Sequence, residues 1–426
     1  MKGLALVFPG QGSQYAGMGR KLCERYAEAR QVFEEAGEIF GMDMKRMCIE
    51  AGIEELTRTG NAQPAILTAS VAAFRVFMKE FRIRPSLSAG HSLGEYTALT
   101  CAGSIGFSDC LRIVRERGRL MQEAAEGSEG CMLAVIGLAR ETVEDECRKM
   151  NAAERRVFIS NYNSPMQTVI SGARGAVEKA GKRLEDMGGK AFPLKVSAAF
   201  HSPMMQFAAD RLLAELKKYD YKPSDWPVIS NVSARPFGGG PEIISGLVSQ
   251  TVKPVRWQES MEYMKESSIK MLVEIGPGEV LKKLAVKNIL GIRAFSFDND
   301  EDAEKLSGEI SDSRLSSGRE VITQCIKAAV CTQNRNWNNE EYRDGVVLPL
   351  REIKLLLSDL GKEERAPSYD EVRRAVDMLT SVFRVKKVPV RERKEWLDDI
   401  RESAGTEELV QYVEMLKSEG EEANEQ

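Results

Sequence analysis

The sequence predicts an α/β protein with a ferredoxin-like small subdomain inserted into its large subdomain and a mostly helical C-terminal extension. Three observations predict this. Through the first 300 residues, short apolar runs alternate with helical periods, as in a parallel sheet joined by crossover helices. Between Gly130 and His201 the order changes to β-α-β-β-α-β, the split pattern of a ferredoxin-like unit. Beyond about Asp298 the composition shifts: residues 301–426 hold 48 charged residues out of 126, against 76 in the first 300, and only six glycines.

The first strand is "LALVF", in an apolar run stopped by Pro9 and too short for a signal-peptide core. The following "FPGQGSQYAGMG", Phe8 to Gly19, fails as a dinucleotide fingerprint, because Tyr15 stands where the third glycine is required. It reads instead as a loop at the end of strand one that can aim a backbone N–H at an anion. A helical run that Pro85 stops then leads to "AGHSLGEY", Ala89 to Tyr96. A Gly-x-Ser-x-Gly pentapeptide suits a strand that turns sharply into a helix, since small residues at Gly90 and Gly94 let the chain bend and expose the Ser92 hydroxyl. Such an elbow makes the large subdomain α/β-hydrolase-like. Next, "LRIVRERGRLMQEA" carries arginines 112, 115, 117 and 119 on a helix. Most of them belong in solvent, but one turned inward could hold a substrate carboxylate through two parallel hydrogen bonds.

The small subdomain, about residues 128–200, runs through "CMLAVIGL", a polar helix from Glu141 to Met150, the hairpin "RVFISNYN" and "TVISG", a helix from Ala176 to Met187, and "AFPLKVS". "WPVISNVSARPF" and "KMLVEIGPG" return to the larger body, which closes near residue 297. Residues 298–319 have few apolar side chains and read as a solvated linker. In the remaining 320–426, Ser368 and Glu371 have capping-box spacing, and Val372, Ala375, Val376, Leu379, Val382 and Phe383 share one helical face. Leu409, Tyr412, Val413 and Leu416 repeat the pattern. These stripes suit a small helical bundle better than a cofactor box.

Sixty basic against 64 acidic residues leave a net charge of −4, which argues against a nucleic-acid or anionic-membrane partner. No segment approaches the length of a membrane span. The eight cysteines form no C-x-x-C pair, and two histidines cannot support the usual zinc patterns, so no metal is expected. The thiols read as reduced ones of a cytoplasmic protein.

A serine nucleophile needs a base, and the chain offers only His91 and His201. Neighbouring side chains on a turning backbone point apart, which makes His91 the poorer candidate. His201 lies in "VSAAFHSPMM", where an extended segment from Lys195 to Phe200 gives way to a helix start at Ser202 and Pro203. The N–H groups of Gln11 and Leu93 would complete the site as a two-donor oxyanion hole, as acyl transfer requires.

Taken together, "FPGQGSQ", "QPAILTAS", "GHSLGEYTAL", "RGRLMQEA", "NSPMQTVISG", "VSAAFHSPMM", "ISNVSARP", "PVRW" and "EIGPGEVL" resemble, in order and spacing over residues 1–297, the malonyl-CoA:acyl carrier protein transacylases and the acyltransferase domains of polyketide synthases. The resemblance implies Ser92 as the acyl-accepting nucleophile, His201 as its base, Gln11 and Leu93 as oxyanion donors, and Arg117 as the malonyl-carboxylate site. It also implies that a backbone carbonyl, that of Gln250, orients the histidine, and that Gln63 and Asn163 line the pocket. Leu93 and Phe200 stand where methylmalonyl-accepting relatives commonly have Gln and Ser, so malonyl is the favoured group. One methyl in an apolar pocket gives only about 1–3 kcal/mol of discrimination. The implied partners are malonyl-CoA and acyl carrier protein, with no cofactor beyond the CoA thioester itself. A serine acyl hydrolase and a polyketide-pathway acyltransferase are the alternatives, and the C-terminal helices are a candidate docking module for another protein.

Overall fold

In the computed structural model, the described backbone comprises residues 3–126, 129–152, 156–196, 198–363, 365–404 and 407–422. The chain divides into two compact units, one of Gly3–Glu80 with Pro85–Ala303, the other including Phe81–Arg84 and Glu304–Gln426.

The first unit is built on a five-stranded parallel sheet. Its strands are β1 (Leu4–Phe8), β2 (Leu87–Gly90), β7 (Val228–Ile229), β8 (Met271–Glu274) and β9 (Arg293–Ser296), in the order β7-β2-β1-β8-β9. β1 is central and every residue in it is buried, which explains its uninterrupted apolar run. Phe8 pairs with Gly90, so β1 and β2 end side by side. The loops that leave them form the crevice at the carboxyl edge of the sheet, where open α/β sheets place their ligands.

β3 (Gly130–Ile136), β4 (Val157–Ser164), β5 (Gln167–Ala173) and β6 (Lys190–Pro193) form a separate antiparallel sheet in the order β4-β5-β3-β6. Helices Arg140–Ala152 and Arg174–Asp186 supply the two connections of the ferredoxin-like pattern. β6 is shorter than "AFPLKVS" suggested. It is an edge strand with mostly exposed residues and ends at Pro193; the chain then runs irregularly toward His201, with Ser197 outside the described residues.

The segment read as a linker is helical. A single helix runs Asp300–Cys331, with Asp300, Glu301 and Asp302 in its first turn, where acids complement the helix dipole. Leu306 and Ile310, four apart, are both buried. Polarity therefore marked a largely solvated helix and not an absence of structure. The division between units accordingly falls within this helix, at Ala303, and not in a free tether.

The second unit has its own core. Val321, Cys325 and Ala328 from that helix meet Ile353 and Leu360 of helix Leu348–Lys362, Val376, Leu379 and Phe383 of helix Tyr369–Val385, Ile400, and Val413. Ser368 and Glu371 form the expected capping box. The buried Lys386 donates from Nζ to the oxygens of Ala329 and Thr332 at 2.7 and 2.8 Å, which closes the end of the long helix. Among the described residues no helix is long and apolar enough to cross a membrane.

Candidate active site

Ser92 occupies the turn between β2 and helix Leu93–Cys101 with φ 53° and ψ −104°, a region that L-residues seldom visit. The two glycines of the motif are required by close packing. A Cβ on Gly90 would lie 1.8 Å from the carbonyl carbon of Gly94, and one on Gly94 would lie 1.9 Å from the oxygen of Phe8. Holding a residue in such a conformation costs about 1–3 kcal/mol and needs anchors on both sides. Asn231 supplies two: its Oδ1 accepts from Ser92 N at 2.8 Å, and its Nδ2 donates to the oxygen of Gly90 at 2.7 Å. Gln250 supplies the third, donating from Nε2 to the oxygen of Ser92 at 2.9 Å.

His201 Nε2 lies 2.8 Å from Ser92 Oγ, and Nδ1 lies 2.7 Å from the main-chain oxygen of Gln250. A carbonyl only accepts, so Nδ1 carries the proton and Nε2 is left to accept from the serine hydroxyl. Burial, with a smaller contribution from the nearby Arg117 cation, lowers the imidazole pKa to about 3, so the free site presents a neutral base. His91 faces elsewhere. Its Nε2 meets Asn163 Oδ1 at 3.0 Å, and its ring stands edge-on to Trp257 with centroids 5.5 Å apart. His91, the poorer candidate for the base, is thus directed at Asn163, and Asn163 is tied to His91 and not to Ser92.

Of the four arginines on helix Phe107–Glu126, only Arg117 is buried, with 1% of its surface exposed. Arg119 pairs with Glu116 and Glu123 on the outer face, as a solvated arginine does. Arg117 donates from Nη1 to Gln63 Oε1 at 2.7 Å, and from Nη2 to Gln250 Oε1 at 3.0 Å and Ser92 Oγ at 3.2 Å. Its guanidinium also lies 5.2 Å from the centre of the Tyr96 ring. All three hydrogen-bond acceptors are neutral, and its Nε has no acceptor among the described residues. A buried cation without a directly paired anion is an incomplete ion pair beside a nucleophile, and its pKa is lowered by burial.

The loop after β1 touches the elbow: His91 N donates to the oxygen of Phe8 at 3.0 Å, and a Cβ on Gly10 would come within 2.3 Å of the oxygen of His91. The N–H groups of Gln11 and Leu93 have no acceptor among the described residues. Phe200 is buried just before His201, with its main-chain oxygen held by Ser160 Oγ at 2.8 Å and Ser171 Oγ at 3.2 Å.

Hydrogen bonds thus join Ser92, His201, Arg117, Gln63 and Gln250 into one cluster. Two further residues bonded into it were not singled out from the sequence. Asn231 lies inside "ISNVSARP", and Glu95 lies three residues past the nucleophile, wholly buried. The available signal was a charged residue in an elbow helix that is otherwise uncharged.

A strained serine, a neutral histidine on a main-chain carbonyl, and two N–H groups without acceptors among the described residues, one in the loop after β1 and one at the start of the elbow helix, define a serine acyltransferase of α/β fold. The comparisons agree. Residues 5–293 match the family model for the acyl transferase domain. A malonyl CoA-acyl carrier protein transacylase of Bacillus subtilis is 35% identical over 395 residues, covering 92% of this chain and 99% of that protein. One of Escherichia coli K12 is 43% identical over 286 residues, covering 67% and 92%. An acyl carrier protein S-malonyltransferase of Vibrio cholerae superposes with a TM-score of 0.69 at 38% identity, covering 72% of this chain and all of that one. A malonyl-transacylase solved with a type II PKS acyl-carrier protein gives 0.70 at 39%, covering 72% and 99%. The chain belongs to the malonyl CoA-acyl carrier protein transacylase family. Because the first relative aligns with 92% of this chain, the similarity continues well past residue 293 into the C-terminal unit.

Proposed function

We propose that the chain transfers a malonyl group from malonyl-CoA to the phosphopantetheine thiol of acyl carrier protein, in fatty-acid biosynthesis, through a malonyl-serine intermediate. The observation that carries this reading is the buried Arg117, 3.2 Å from the nucleophilic oxygen and hydrogen-bonded only to neutral acceptors. An acyl group that ends in a carboxylate completes that ion pair while its thioester carbon lies at Ser92.

In the first half-reaction Ser92 Oγ attacks the thioester carbon and its proton passes to His201 Nε2. The tetrahedral oxyanion is met by the N–H groups of Gln11 and Leu93. The C–S bond breaks, the CoA sulfur takes the proton from His201, and malonyl-Ser92 remains. The carrier thiol then gives its proton to His201, attacks the ester, and Ser92 Oγ leaves with that proton. Gln250 keeps the imidazole oriented through its main-chain oxygen, and Gln63 steadies Arg117. Phe200 crowds the space an α-methyl branch would need, which favours malonyl over methylmalonyl. These groups handle every proton and charge of the cycle, so the proposed mechanism contains no cofactor step. We also place the chain in the cytoplasm, since its cysteines are free and seven of the eight are buried.

The test is intact-mass analysis after mixing with malonyl-CoA alone. The expected result is a single malonyl adduct on wild-type protein, absent from Ser92→Ala and discharged by added holo-carrier with acylation of the carrier. Loss of the adduct to water with no carrier acylation would instead make the chain a hydrolase.

A further inference from the structure

Glu95 is fully buried one turn beyond the nucleophile, and the catalytic steps above do not use it. Its two oxygens have separate partners. Oε1 accepts from Asn231 N at 2.7 Å, and Oε2 accepts from Gln250 Nε2. Those partners hold everything that reacts. Asn231 bridges Ser92 N and the oxygen of Gly90, and so spans the strained turn. Gln250 presents its main-chain oxygen to His201, its side-chain oxygen to Arg117, and its side-chain N–H to the oxygen of Ser92.

The donor and acceptor assignments admit one arrangement. An ionised carboxylate only accepts, so it selects the Gln250 rotamer with Nε2 toward Glu95. That choice turns Oε1 toward Arg117, which only donates. With the amide reversed, two acceptors would meet at Glu95 and two donors at Arg117. A neutral carboxylic acid removes the first conflict, because it can donate, and so loosens the selection that fixes Arg117. We propose that Glu95, in its ionised form, is a positioning residue that locks Asn231 and Gln250 in the single orientation that aligns Ser92, His201 and Arg117. This rests on the transacylase reading of the same site.

The charged and titratable groups around Glu95 are Arg117 from helix Phe107–Glu126 and Tyr96 from its own helix; Asn231, Ser230 and Gln250 are neutral. Burial outweighs the hydrogen bonds and the Arg117 cation and raises its pKa to about 7. Ionised Glu95 is the competent form, so activity should rise with pH through neutrality. His201 cannot produce that limb, since its own pKa lies near 3.

The experiment measures kcat/KM for malonyl-CoA against pH, from 5.5 to 8.5, for wild type, Glu95→Gln and Glu95→Asp. For wild type we expect an acidic limb with a midpoint near 7. Glu95→Gln should be flat across the range and lower by roughly tenfold or more at the alkaline end, the loss expected when one charge-assisted hydrogen bond fails. Glu95→Asp keeps a carboxylate and should keep a limb. Should Glu95→Gln misfold, infrared difference titration of the wild type reads the same group directly, as a buried carboxylic acid band that disappears as the pH passes neutrality. Wild-type rates in Glu95→Gln, an unchanged limb in that variant, or a carboxylate already ionised at pH 5.5 would each overturn the proposal. If wild type forms no malonyl-enzyme at all, it is the transacylase reading that fails.

Discussion

The imidazole of His201 is oriented by the main chain of Gln250 and not by its side chain: Nδ1 stands 2.7 Å from the carbonyl oxygen, while the side-chain oxygen of the same residue accepts from Arg117 at 3.0 Å. In the proposed mechanism one residue therefore serves the base and the substrate site through different atoms, and truncation separates the two roles. Gln250→Ala keeps the carbonyl and loses the contacts to Arg117, Glu95 and the Ser92 oxygen. It should weaken use of malonyl-CoA, mainly through KM, yet acylate much faster than His201→Ala, whose loss should be about 10² to 10⁴ in rate. Stopped-flow acylation of the two variants decides the point, and equal losses would show that the side chain, too, is needed to hold the base.

The backbone of Ser92 provides a second test. At φ 53° and ψ −104° a glycine avoids the strain that alanine retains. Ser92→Gly should therefore melt at or above Ser92→Ala, although in an unstrained helix glycine lies about 0.5–1 kcal/mol below alanine. Both variants should be free of acyl adduct. A Ser92→Gly protein that melts clearly below Ser92→Ala would mean that the turn stores little strain.

The pH dependence of stability should carry the mark of His201. Its folded pKa, about 3, lies below the usual 6.5, so the folded state resists protonation while the unfolded chain accepts it. The stability that this group contributes is complete above 6.5 and is lost as pH falls toward 3. The difference in unfolding midpoint between wild type and His201→Asn should accordingly shrink, or change sign, as the pH is lowered from 7 to 4. A constant difference over that interval would indicate an imidazole that titrates normally in the fold.

Much of this site was legible because its chemistry demands particular residue types at fixed spacing. The elbow glycines are forced by contacts below 2 Å, so "GHSLG" points to a turn and to an exposed hydroxyl. With only two histidines in the chain, the base could be sought by elimination. Arg117 was harder to read: it shares its helix with three other arginines, and only packing distinguishes the one that is buried. Glu95 and Asn231 were missed because each acts through partners 136 or more positions away, a relation that no local pattern encodes. The β-α-β-β-α-β order of the small sheet was plain from alternating runs, whereas residues 300–319 were misread as a linker because composition reports solvation and not helicity.

The most direct test of the central claim is the ratio of malonyl to acetyl kcat/KM in wild type, Arg117→Ala and Arg117→Lys. If the guanidinium pairs with the malonyl carboxylate in a dry site, removing it leaves a buried unpaired anion, at a cost of about 2–5 kcal/mol. Malonyl transfer by Arg117→Ala should then fall roughly 30-fold or more, while acetyl transfer holds or rises. Arg117→Lys should recover only part of the malonyl rate, since an ammonium cannot reproduce the planar fork that also engages Gln63 and Gln250. Equal losses for the two substrates would contradict the account, because Arg117 would then be supporting the fold or the CoA and not reading the carboxylate.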